Sequence, residues 1–202
     1  YPIAFLIEYF EQEFKKLFAL LNSTQHIVIA SWMNSQENTF ERAQKYFGIS
    51  FKILKELEDL EIQINQVEKT HAQADTIYKL HDKISGLRIL SLSLRTLNDI
   101  QQRFALPRFE TLNKNRNLFL NTTQKVLEFS EFIFSSILDR DQEEKINATN
   151  LSSQVSDELL KFKEQIYFLK SENILKKEEV ELVYEYLEQL QLLSLSIQRI
   201  SK

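Results

Sequence analysis

Residues 50–104 read SFKILKELEDLEIQINQVEKTHAQADTIYKLHDKISGLRILSLSLRTLNDIQQRF, with one glycine, Gly86, and no proline before Leu106-Pro107. A stretch this long without a strong breaker predicts one nearly continuous helix, roughly 80 Å at the α-helical rise. Leu57, Leu60, Ile64 and Val67 alternate spacings of three and four; Ile77, Leu80, Ile84, Leu87, Leu94 and Leu97 resume the pattern one residue out of phase. The slip falls in 68–76, which carries no large apolar side chain, and reads as a hinge, a helix break or a change of packing partner.

On the N-terminal side, Pro2 opens a predicted helix over 3–21, a position where its missing N–H costs nothing. Phe5, Tyr9, Phe10, Phe14, Leu17, Phe18 and Leu21 form its stripe. Asn22-Ser23-Thr24 supplies a stop and an N-cap for a second helix over 25–47, with Ile29, Trp32, Met33, Phe40, Ala43 and Phe47 facing one way as core; Gly48 ends it and Ser50 caps the long helix.

On the C-terminal side, a fourth helix is expected from Arg108 or Phe109 to Leu138, irregular near Asn113, Asn115 and Asn117. Phe119, Val126, Phe129, Ile133 and Ile137 line one face, widened by Leu120, Leu127, Phe134 and Leu138, so this helix is central or lies in an interface. Residues 139–153 read as the one long flexible loop. Val155, Leu159, Phe162, Ile166 and Leu169 mark a fifth helix, and Asn173 suits a left-handed C-terminal position with Ile174 packing behind it. The sixth helix, 177–200, returns antiparallel on Val180, Val183, Leu187, Leu190, Leu193, Ile197 and Ile200.

The fold class expected is all-α: an antiparallel bundle of about six helices organised around 50–104 and closed by an αα-hairpin. It forms one domain over 1–202, or two stacked helical subdomains with a packing change near 68–76. Two glycines and two prolines in 202 residues leave little turn chemistry for sheets, and no repeat of fixed period suggests a solenoid.

A formal net charge of −4 with dispersed basic residues gives no basis for nucleic-acid binding. The absence of cysteine excludes disulfides, thiolate catalysis and Cys-ligated metals. The apolar opening at Ile3–Ile7 runs at once into Glu8, Glu11 and Glu13, and no run approaches a membrane span, so direct membrane insertion is not expected. A chain beginning at Tyr1 reads as processed or as a piece of a longer protein, soluble, with a cytoplasmic location favoured.

Phosphate loops, GxGxxG, HExxH, GxSxG and EF-hand patterns are absent. His71 and Asp75 stand one turn apart, but two ligands do not make a metal site, and neither metal nor cofactor is expected. Sequons at Asn22, Asn121, Asn147 and Asn150 would matter only on a secretory route, where the loop pair is the accessible one.

Leu80-His81-Asp82-Lys83-Ile84-Ser85-Gly86-Leu87 resembles the phosphoacceptor box of sensor histidine kinases that carry a His-Asp pair. The resemblance covers under a dozen residues and implies a helical hairpin dimerising into a four-helix bundle, with His81 phosphorylated and Asp82 as its base. Gly86 and Leu87 depart from the pattern, and the glycine-rich ATP lid is absent, so a complete kinase is excluded.

The function expected is a non-enzymatic module for protein–protein interaction, self-association or conformational signal relay. The first alternative is a sensory domain binding a small polar ligand between helices, with Arg88 and Arg95, seven residues apart, gripping an anion in a dimer. The second is phosphotransfer through His81.

Overall fold

Two buried hydroxyl side chains keep the first helices running where stops were expected. The computed structural model describes residues 2–34, 39–67, 70–139 and 144–201. Its first helix, α1, is continuous over Ile3–Asn34, passing through Asn22-Ser23-Thr24. Thr24 Oγ1 donates to the Leu20 carbonyl at 2.7 Å and is fully buried, so it satisfies itself inside the helix rather than capping a new one. Ser50 does the same, donating to the Tyr46 carbonyl at 2.8 Å, and α2 runs Thr39–Gln66 straight through Gly48. Of the stripe expected over 25–47, Ile29, Ala43 and Phe47 are buried. The side chains of Trp32 and Met33 lie outside the described residues.

The predicted helix over 50–104 is two helices. α3 begins at His71 behind a capping box: Gln73 N–H donates to Thr70 Oγ1 at 3.4 Å, and Thr70 N–H donates to Gln73 Oε1 at 3.0 Å. The phase slip is therefore a helix break, and α3 extends to Phe104. A short 3-10 turn over Pro107–Phe109, α4 over Glu110–Lys114 and α5 over Asn117–Asp139 replace the single fourth helix. Asn115 Nδ2 donates to the Thr111 carbonyl at 2.8 Å, so the Asn-rich section terminates α4.

The expected loop over 139–153 is mostly helix, since α6 spans Glu144–Ser171; residues 140–143 lie outside the described residues. Once a helix is nucleated, each added residue gains a backbone hydrogen bond, so α6 extends N-terminally past its apolar stripe. Asn147 and Asn150 thus sit in a helix rather than a loop. At its other end Asn173 has φ 54°, and Ile174 and Asn173 donate to the Leu169 and Lys170 carbonyls, a Schellman motif leading into α7, Lys177–Ser201. Leu175 rather than Ile174 packs back: Leu175 is buried, whereas Ile174 is 44% exposed.

α1 touches α2, α3 and α5; α3 touches α1, α2 and α7; α7 touches α3, α5 and α6; and α5 touches α6. These contacts describe a layer in the order α2, α3, α7, α6, backed by α1 and α5. The helices fall into two three-helix units, α1–α3 and α5–α7, joined by residues 105–116. α3 against α7 is the most extensive pairing between the two units. It is also close, because a Cβ on Gly86 would lie 2.5 Å from Ile200 Cγ1. Among the described residues there is no strand, and no helix is long and apolar enough to cross a membrane.

Candidate functional site

The outer face of the four-helix layer carries the residues singled out in the sequence. His81 projects from α3, where its Nδ1 meets Glu61 Oε1 of α2 at 2.5 Å. An ionised carboxylate only accepts, so the ring N–H donates there. Arg88, two turns on, donates through Nε to Glu58 Oε1 at 2.9 Å. The two contacts are parallel ties along the α2–α3 edge. Asp82, the expected base for His81, makes no ion pair or hydrogen bond to it among the described residues; Glu61 from the neighbouring helix orients the imidazole instead.

Arg95 continues the row after another two turns and is exposed, with no ion-pair partner among the described residues. The carboxylates of α2 give way at its height to Phe51 and Lys55. Arg88 and Arg95 thus lie along the surface rather than between helices, and Arg88 is already engaged by Glu58. His71 is exposed, Asp75 pairs with Lys79 at 3.1 Å, and no group of three potential metal ligands occurs among the described residues.

Cross-helix contacts fix the relative heights of the layer. Glu58–Arg88 and Glu61–His81 set α2 against α3. Arg103 Nη1 to Glu185 Oε2 at 3.1 Å, and Arg199 Nη1 to Ser85 Oγ at 3.2 Å, set α3 against α7 in antiparallel register. Gln198 Nε2 to Ser152 Oγ sets α7 against α6. At one helical rise per residue, Phe51 of α2, Leu92 of α3, Leu192 and Leu195 of α7 and Leu160 of α6 then fall within about 8 Å of one another in height. All five are exposed, Leu92 by 63%. By helical angle each lies on the side turned away from α1 and α5, so they form a transverse apolar band, about 30 Å long for four helices spaced 8–10 Å apart. Helical periodicity within one element does not single out this band, because its members lie on the polar side of each helix, singly on α2, α3 and α6 and as the pair Leu192 and Leu195 on α7.

Behind the layer, the helices joining the two units carry most of the buried polar side chains: Thr24 and Gln25 on α1, Ser93 and Gln101 on α3, Thr122, Thr123 and Ser130 on α5, and Ser194 and Ser196 on α7. Tyr186 of α7 is fully buried among them, with its hydroxyl 3.0 Å from Thr123 Oγ1 and hydrogen-bonded to Gln101. Burial pushes its phenol up to about 12. Glu179 is a buried carboxylate held structurally: Oε1 accepts from Lys176 N–H at 3.1 Å and Oε2 from Leu112 N–H at 2.7 Å, capping α7 and the start of α4 together.

No family model, curated protein or solved structure matches the chain.

Proposed function

We propose that this chain is a non-enzymatic helical interaction module that self-associates through the outer face of its four-helix layer. The transverse band of Phe51, Leu92, Leu192, Leu195 and Leu160 carries the reading. Scattered single apolar residues are ordinary on a surface, but five within about 8 Å in height on four adjacent helices form a stripe of the kind that marks interaction sites. The band runs across both three-helix units, with Phe51 and Leu92 on one side of the α3–α7 line and Leu192, Leu195 and Leu160 on the other. Such a surface is self-complementary and suits a two-fold contact between identical copies. Arg95, with no ion-pair partner among the described residues, supplies a cation beside the band that can fix register.

Light scattering after size-exclusion chromatography tests this. The unmodified chain is expected to gain mass towards a dimer as concentration rises, whereas L92E and L195E, each placing a charge on an already exposed position, remain monomeric with unchanged helicity. A chain that stays monomeric at every concentration, or variants that associate as well as the parent, would overturn the reading.

Conformational relay is a second reading, favoured by the polar character of the seam between units. Interfaces between parts that move relative to one another are more polar than cores. Enzymatic and phosphotransfer readings have no comparable support: His81 is tied to Glu61 along a helix edge, and Asp82 makes no hydrogen bond to it among the described residues.

A further inference from the structure

The seam where α1, α3, α5 and α7 meet contains buried polar atoms that have no hydrogen-bond partner among the described residues, Gln25 Oε1 on α1 and Ser130 Oγ on α5 among them. His26 Nε2 of α1 and Glu131 Oε1 of α5 meet at 2.9 Å on the surface, which pins the two helices together at this height. Directly beneath them, Gln25 and Ser130 turn inward and are both 0% exposed. Gln25 Oε1 and Ser130 Oγ have no hydrogen-bond partner among the described residues. Gln25 Nε2 donates to Asn22 Oδ1 at 3.1 Å, which leaves Oε1 as the end of the amide without a partner. Thr24 does not supply one, its hydroxyl being committed to the Leu20 carbonyl.

We propose that the centre of this seam is an internal binding site for one small neutral hydrogen-bonding molecule, water, held between Gln25 Oε1 and Ser130 Oγ. Water fits both requirements: it donates to an oxygen that can only accept, and it donates to or accepts from a hydroxyl that can do either. The His26–Glu131 pair lies outside the site on the surface. Along α5 the site lies two turns beyond Thr123 of the Gln101–Tyr186–Thr123 cluster, with buried Val126 between them.

The intact chain tests the proposal directly. A long-lived internal water gives nuclear Overhauser contacts from water to the backbone amide protons of residues 24–26 and 129–131; these are expected in the parent and lost in S130A and Q25L, and their absence from the parent overturns the proposal. Urea unfolding supplies the second measurement. S130A and Q25L are each expected to lower the folding equilibrium constant roughly fivefold, and the double variant to lose clearly less than the product, since the water leaves with the first substitution. If both substitutions raise the constant, the two atoms are dry orphans and the proposal fails. It fails equally if both lower it with fully multiplying effects, as they would if Ser130 turned its hydroxyl to a carbonyl one turn back. Should either variant not fold, the measurement on the parent chain decides alone.

Discussion

Gly48 and Gly86 both sit inside helices, yet alanine acts on them in opposite directions. A Cβ at Gly48 meets nothing within 4 Å, so G48A adds helix propensity and is expected to stabilise the fold by about 1 kcal/mol. At Gly86 the same methyl would press on Ile200 Cγ1 at 2.5 Å and on the Ser196 carbonyl at 3.3 Å, so G86A is expected to cost about 1–2 kcal/mol despite its better propensity. Thermal unfolding should move the two melting temperatures apart, and in G86A/I200A the combined loss should fall short of the sum. Tyr186 gives a pH signature. Its folded pKa, about 12, lies above the ordinary value of 10.0, so the unfolded chain ionises first. Its contribution is complete below pH 10 and is lost as pH rises towards 12, by of order 2 kcal/mol. The difference between parent and Y186F in urea midpoints across pH 9–12 isolates it; a flat difference would contradict a buried phenol.

The elements are bounded by caps, and two of these can be tested. Glu179 receives backbone N–H groups on both oxygens, so E179Q sets an amide donor against one of them and should destabilise by roughly 2 kcal/mol, seen as a lower urea midpoint. T70A removes half of the capping box at the start of α3, a loss of about 1 kcal/mol. Residues 70–76 are mostly exposed, whereas Ile84, Leu87, Leu90, Leu94 and Leu97 are buried. Hydrogen exchange should therefore be faster over 70–76 than over 84–97, and equal protection would argue against a real helix break.

For the molecule as a whole, the pairing of α3 with α7 holds the two three-helix units together independently of the segment over 105–116. Leu106 and Pro107 are exposed, and a protease site inserted between them should be cut without separating the halves. The nicked fragments are expected to co-elute under native conditions and to part in urea. Separation on cutting would mean that the covalent link, rather than the seam, maintains the assembly.

The sequence by itself determined the all-helical class, the α6–α7 turn at Asn173 and most of the buried stripe positions, because those follow from scarce glycine and proline, helical spacing and the left-handed preference of one residue. It also carried the α3 start as Thr70-His71-Ala72-Gln73, a capping-box pattern legible in the chain, although the unbroken run of helix formers around it pointed to continuity. Tertiary structure decided whether hydroxyls cap or bury. Thr24 and Ser50 have the chemistry of N-caps, but burial makes the carbonyl one turn back their partner. It also decided which acid faces His81 and which lone apolar residues align. Glu61 reaches the imidazole, and Phe51, Leu92, Leu192, Leu195 and Leu160 come within about 8 Å of one another in height, only because four helices pack side by side in a particular register. Register between helices is a property of packing that no local periodicity encodes.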